Sequence, residues 1–319
     1  MDVFLYEVFE EEAELFRQYV GKRFSYEATS KTIQEACHKE PPARLISIRT
    51  QSHIPPEWAA SLSGVLSRST GYDHLVAFKQ ETGVGVPCGY LDEYATRAVA
   101  EHAALLVLAL FRRLTAQITK FQSFNRDEIT GMECKGRNLL VVGVGRIGTE
   151  ILEIGRGLGM TVRGVDIVRD KRGIEYVSPE EGISWADVIV CSMNLTEGNR
   201  RYFSYEILSR SRAGVIFVNI ARGELSPLKD LLRLLKEGRL GGVGLDVFED
   251  EGNLALALRS GQASETDFVG VVREMLKYPN VIMTPHNAFN TMEAIERKTR
   301  MSIDQILHFL KHRDFEWKL

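Results

Sequence analysis

Cysteine is scarce in this chain: its 319 residues hold only Cys37, Cys88, Cys134 and Cys191, and no two stand in C-x-x-C spacing. That scatter argues against a disulfide framework and a zinc site. No metal is expected, and a reducing cytoplasm fits. An excess of either charge is also missing, since 40 Lys and Arg face 43 Asp and Glu. The basic residues do not gather into a patch interleaved with aromatics, so nucleic acid is not an expected partner. Long apolar runs are lacking too. The most apolar stretch, "AVAEHAALLVLALF", is interrupted by Glu101 and His102 and bounded by Arg112 and Arg113. It reads as a buried helix, and no membrane association is expected. The opening "MDVFLYEVFEEEAELF" is acidic where an export signal is basic, so export is not expected. No internal repeat is present.

What is present is ordinary globular material, 44% hydrophobic and 26% charged, in a chain long enough for two domains. Short apolar runs alternate with longer helical patterns, as in an α/β protein with parallel strands. In the first part, "RLISIRT" and "GVLSRST" read as strands, "EEEAELFRQYV" and "SKTIQEACHK" as helices, and "KEPPA" and "HIPPEW" as loops. A long helix is expected from Arg97 to Phe121. From Asn138 onward, strands and helices alternate regularly enough to predict a doubly wound sheet. The final "EAIERKTRMSIDQILHFLKH" has helical spacing.

The segment "NLLVVGVGRIGTEILEIGRGLGMTVRGVD" sets Gly143, Gly145 and Gly148 between an apolar strand and a helix. A lone G-x-G-x-x-G is weak evidence, but here the context fits: backbone N–H groups at the helix start would face a pyrophosphate. Asp166 ends the next strand, eighteen residues beyond Gly148, close to the roughly 20 expected for a carboxylate that holds ribose hydroxyls. It would repel a 2′-phosphate, which favours NAD over NADP, although Arg169, Lys171 and Arg172 follow it.

Three later strand ends carry reactive side chains: Arg222 in "VNIARGEL", Asp246, Glu249 and Glu251 in "GLDVFEDE", and His286 in "IMTPHNAF". Ligands of open α/β sheets bind beyond the carboxyl ends of the strands. Hydride transfer to a carbonyl needs a proton donor, a cation for the substrate carboxylate and an acid behind the donor. Histidine, arginine and glutamate meet those needs in turn. His38, His53, His308 and His312 read as ordinary surface or core residues; His102 reads as a packing residue, with pairing to Glu101 in the helix as the alternative.

This order of motifs, with "AVAEHAALLVLAL" upstream, resembles the D-2-hydroxyacid dehydrogenases. The resemblance implies an α/β fold of two domains: a Rossmann-type doubly wound parallel sheet over 98–291, and a smaller flavodoxin-like substrate domain over 1–97 completed by 292–319. An active site in the cleft between them and a homodimer are implied as well. Carried onto this sequence, the catalytic residues are His286, Glu251 and Arg222, with Glu249 as a nearby competitor for the acid. Substrate contacts fall on Thr70, Gly71, Tyr94 and Arg222. Cofactor contacts fall on Gly143, Gly145, Arg146, Ile147, Gly148, Asp166, Asn194, Asn199, Ala221 and Asp246. Tyr94 and the long stretch between Glu251 and His286 resemble the D-lactate dehydrogenase branch. Ser192 and Asn194 stand where many relatives have His and Pro, and Gly252 stands where a proline is usual. The expected activity is NAD-linked interconversion of a small 2-oxo acid and its D-2-hydroxy acid. The alternatives are a cofactor-binding regulator of the corepressor type, or a dehydrogenase of another small acid such as phosphite.

Overall fold

The computed structural model describes residues 1–260 and 267–319. The chain forms two units, Met1–Ala95 with Asn290–Leu319, and Thr96–Phe289. In the first unit a five-stranded parallel sheet is built from β1 (Val3–Leu5), β2 (Tyr26–Ala28), β3 (Leu45–Ile48), β4 (Gly64–Ser67) and β5 (Cys88–Gly89), in the order β2-β1-β3-β4-β5. This is the flavodoxin-like order. Between the strands lie α1 (Glu10–Val20), α2 (Ile33–Ala36) and α3 (Asp73–Thr82). On α1, Glu12, Phe16 and Val20 are buried, which is the i, i+4, i+8 spacing of one helical face.

The second unit opens with α4 (Thr96–Phe111) and α5 (Leu114–Phe121). The single helix expected from Arg97 to Phe121 is therefore two. Arg113 takes a left-handed φ of 51°, a conformation that cannot continue a right-handed helix. There follow β6 (Asn138–Val142), α6 (Arg146–Gly157), β7 (Thr161–Val165), α7 (Pro179–Trp185), β8 (Val188–Cys191), α8 (Tyr205–Leu208), β9 (Val215–Asn219), α9 (Leu228–Lys236), β10 (Leu240–Leu245), α10 (Glu251–Ser260), α11 (Asp267–Met275) and β11 (Val281–Met283). Their sheet is parallel throughout, in the order β11-β10-β9-β8-β6-β7. Among the described residues, the sheet continues beyond β7 as a single bridge, Gly164 to Tyr176. Strands β8 and β9 are buried along their whole length, as strands covered by helices on both faces must be. The amphipathic α9 lays Leu228, Leu231, Leu234 and Leu235 onto that core.

The last helix, α12 (Met292–His312), returns to the first unit and packs on α1 and β4. It brings a buried cluster of charges with it. Glu12 accepts from Arg68 Nε at 3.0 Å and lies 3.1 Å from Lys298 Nζ, with all three side chains fully buried. Arg68 also donates to Ser47 Oγ and to the carbonyls of Tyr6 and Glu7. Burial pushes the Glu12 carboxyl up, but Arg68, Lys298 and Arg49 prevail and hold it at about 2. Burial pulls Lys298 down to about 7.

Candidate active site

Because every strand of the second sheet runs the same way, all its carboxyl ends lie along one edge, and the predicted residues follow those ends. The two halves of the sheet diverge at β6 and β8, which is where such sheets bind ligands. After β6 the chain turns at Gly143, whose φ is +95°; a Cβ there would strike the Met193 backbone. Gly148 sits in the first turns of α6, with the Gly143 carbonyl occupying the place of any Cβ. Gly145 differs: nothing lies within 4 Å of where its Cβ would stand. It also caps α6 without a side-chain bond, leaving the first-turn N–H groups to an anion. Two glycines therefore make the turn and the third leaves open space over a helix N-terminus, which fits a pyrophosphate. Arg146 is exposed and Ile147 half-buried on this turn.

Asp166, at the end of β7, accepts from Val144 N at 2.5 Å through Oδ2 and from Val168 N at 2.9 Å through Oδ1. A carboxylate has about four lone-pair sites, so acceptor capacity remains for ribose hydroxyls. Ser192 donates from Oγ to the Gly143 carbonyl at 2.7 Å and so ties the loop after β8 to the glycine turn. Asn199 and Asn194 are engaged with each other's loop: Asn199 Oδ1 accepts from Thr196 N and its Nδ2 donates to Asn194 O, both at 2.7 Å.

After β9, the buried Asn219 shapes the arginine loop. Its Oδ1 accepts from Ala221 N at 3.0 Å, while Nδ2 donates to Arg222 O at 2.8 Å and to Ser226 Oγ at 2.7 Å. The half-buried Arg222 donates from Nη1 to the Ala221 carbonyl at 2.8 Å. At Gly223 the Phe248–Glu249 peptide fills the space of a Cβ, so the arginine loop and the acidic loop are in backbone contact. Only glycine permits that approach.

The two acids of that loop then part. Glu249 Oε2 accepts from Leu228 N at 3.1 Å, at the start of α9, and burial pushes its carboxyl up. Glu251 instead faces His286, with Oε1 and Oε2 at 2.8 and 2.9 Å from Nδ1. Since a carboxylate can only accept, Nδ1 carries the proton and Nε2 is the end that exchanges one. His286 itself has a φ of +50°, a left-handed conformation that costs a non-glycine residue about 1–2 kcal/mol. Asp246, 1% exposed, holds that backbone in place. Its Oδ1 accepts from Thr284 Oγ1 at 2.6 Å and Asn287 N at 2.8 Å, and its Oδ2 from Ala288 N at 2.9 Å. The resemblance assigns Asp246 to the cofactor; in the structure its carboxylate grips the loop that carries His286.

In the first unit, the loop bearing Thr70 and Gly71 is fixed by a chain of hydroxyls. Ser69 Oγ donates to Gly71 O at 2.7 Å, Ser67 and Ser69 are 2.6 Å apart, and His74 Nε2 lies 2.8 Å from Ser67 Oγ. A carbonyl only accepts, so each hydroxyl donates toward Gly71 and His74 donates to Ser67. Thr70 is exposed and Tyr94 buried, and the Tyr94 carbonyl accepts from Arg297 Nε at 2.9 Å. Sequence reasoning missed Thr284 and Asn219, noted Ser192 only as a departure from the family pattern, and read His102 as a packing residue. His102 Nε2 in fact lies 3.0 Å from Thr284 Oγ1. Of the long stretch after Glu251 that resembles the D-lactate dehydrogenase branch, 261–266 lie outside the described residues.

The chain matches the model of the D-isomer specific 2-hydroxyacid dehydrogenase NAD-binding domain over residues 104–288. It is 31% identical to 2-hydroxyacid dehydrogenase A of Aspergillus oryzae over 261 residues, covering 80% of this chain and 74% of that protein. It is 32% identical to a D-lactate dehydrogenase of Streptococcus agalactiae over 242 residues, covering 73% and 71%. Among solved structures, the D-lactate dehydrogenase of Aquifex aeolicus complexed with NAD and lactic acid superposes with a TM-score of 0.86 at 27% identity, over 97% of this chain and 96% of that one. The glycine turn, the carboxylate after β7 and the histidine–glutamate pair thus stand in a chain that belongs to the D-isomer specific 2-hydroxyacid dehydrogenases and carries their NAD-binding domain.

Proposed function

We propose that the chain is a cytoplasmic, homodimeric enzyme that interconverts a small 2-oxo acid and its D-2-hydroxy acid, with His286 as proton donor and acceptor. The observation that carries this reading is the bond from His286 Nδ1 to the Glu251 carboxylate, which leaves Nε2 as the working nitrogen. The Gly143–Gly148 turn and Asp166 would hold NAD(H), which would supply or take up the hydride. During reduction, His286 Nε2 gives its proton to the carbonyl oxygen as that oxygen becomes a hydroxyl; during oxidation the neutral ring takes the proton back. Glu251 stabilises the ring's charge and fixes its tautomer. Arg222 pairs with the substrate carboxylate and orients the carbonyl. Thr70, Gly71 and Tyr94 keep their assignment to the same acid. Dimerisation is supported by exposed apolar side chains along α5, where Ile118 is 65% and Phe121 72% exposed, an unusual face to leave in water. Steady-state oxidation of NADH against 2-oxo acids of increasing size tests the activity. Turnover with at least one supports it, and failure with all of them overturns it.

A further inference from the structure

We propose that His102 is a positioning residue for His286, acting through Thr284 and Asp246. His102 lies on α4, 184 positions before His286, and touches neither of the groups assigned to proton transfer. Its Nε2 lies 3.0 Å from Thr284 Oγ1 and 3.6 Å from Asp246 Oδ1. The direction of these bonds follows from the acceptor at their end. Asp246 can only accept, so the single hydroxyl hydrogen of Thr284 goes to Oδ1 at 2.6 Å, and the Thr284 oxygen must then accept from His102.

That direction matters because the hydroxyl has a rival acceptor. Thr284 Oγ1 also lies 3.5 Å from the Leu245 carbonyl, and turning to it would release Asp246. The N–H of His102 occupies one of the two lone pairs of Oγ1 and keeps the hydroxyl on the carboxylate. Asp246 thereby keeps hold of the chain on both sides of His286: the Thr284 side chain before it, and the N–H groups of Asn287 and Ala288 after it. His286 needs such a clamp because its φ of +50° is one that a histidine leaves when unconstrained. Released, the ring would drift from Glu251 and lose its fixed Nδ1–H.

This inference rests on His286 being the proton donor, so its test reads the ring directly as well as turnover. The variants are His102→Leu, which removes the donor, and His102→Gln, whose amide nitrogen reaches about as far as Nε2. Thr284→Val removes the relay, alone and combined with His102→Leu. The readouts are the exchange rate of the downfield His286 Nδ1–H in proton NMR, assigned by its loss in His286→Asn, and kcat and KM for 2-oxo acid reduction. His102→Leu is expected to speed exchange and lower kcat by about 10-fold, the worth of one hydrogen bond, with the KM for NADH unchanged. His102→Gln should restore both, and His102→Leu should add nothing in the Thr284→Val background. An unchanged Nδ1–H signal and kcat in His102→Leu, a Gln variant no better than Leu, or losses that add in the double variant would overturn the proposal. If His102→Leu does not fold, Thr284→Val alone decides, because the relay predicts the same faster exchange. A wild-type protein whose Nδ1–H responds to His102→Leu but which reduces no 2-oxo acid would overturn the functional reading and leave the positioning role standing.

Discussion

Glu251 and His286 meet through both carboxylate oxygens, at 2.8 and 2.9 Å from Nδ1, while Glu249, two residues earlier, ends on the backbone of Leu228. The acidic loop thus gives one carboxylate to the histidine and one to the first turn of a helix.

Replacing these residues should separate the two jobs. His286→Asn should keep NADH binding and lower kcat by about 100-fold to 10,000-fold, the usual worth of general acid–base catalysis. Glu251→Ala should lower kcat with little change in Tm. Glu249→Ala should do the reverse, costing about 1 kcal/mol of stability as a lost helix-start acceptor while kcat holds. Steady-state kinetics and thermal unfolding on the same preparations check the split; a kcat that falls with Glu249 and not Glu251 would reassign the acid.

The glycines make a second separable pair. A methyl at Gly145 meets nothing within 4 Å, so Gly145→Ala should fold with an unchanged Tm yet weaken NADH by about 10-fold or more, because it fills the space where a pyrophosphate approaches. A methyl at Gly148 collides with the Gly143 carbonyl, so Gly148→Ala should lower Tm even without cofactor. NADH fluorescence titration and calorimetry of the free protein distinguish the two. Equal behaviour would mean that the open side of the turn is not the cofactor's side.

The apolar face of α5 gives a prediction about assembly. Leu114, Ile118 and Phe121 are all exposed at helical spacing. Light scattering at micromolar concentration should find a dimer, and the double substitution Ile118→Glu, Phe121→Glu should yield a monomer. A wild-type monomer would remove this helix from any dimer contact.

Acid should unfold the first unit through Glu12. Its carboxyl is held at about 2, below its ordinary 4.5, where the cations Arg68, Lys298 and Arg49 outweigh burial. A depressed carboxylate stabilises the fold fully above its unfolded value, and the contribution fades as pH falls from 4.5 toward 2. Urea midpoints should therefore drop through that window. In Glu12→Gln this component of the slope should vanish, and stability at neutral pH should fall by about 3–5 kcal/mol, because the buried guanidinium of Arg68 loses its carboxylate partner. An unchanged slope would show that other carboxylates govern acid unfolding.

The second unit was readable because its strands are buried on both faces and its ligand residues follow strand ends. Such strands show as short continuous apolar runs, and the spacing from Gly148 to Asp166 identifies a cofactor turn. The first unit was harder. Val3–Leu5, Tyr26–Ala28 and Cys88–Gly89 are strands of three residues or fewer, too short to show any period. Choosing Glu251 over Glu249 needed the family resemblance, since both acids follow the same strand and only the fold shows that Leu228 claims one. The bond from His102 to Thr284 joins residues 182 positions apart, and no local pattern announces it. The break at Arg113 was missed because its residues have good helix propensity; a single left-handed dihedral ends the helix.

Strand β10 carries Gly242 and Gly244 on the side where α4 lies. A Cβ at Gly244 would stand 3.2 Å from Leu106 Cβ, and one at Gly242 would stand 3.1 Å from Leu110 Cδ2. The missing methyl groups set how deeply the helix seats, and hence how far the imidazole one turn before Leu106 can extend past the strand's end. Steric distance in the middle of the sheet thereby becomes a determinant of chemistry at its rim. Mutations at Gly242 and Gly244 can therefore alter turnover although neither position carries a side chain that takes part in the chemistry.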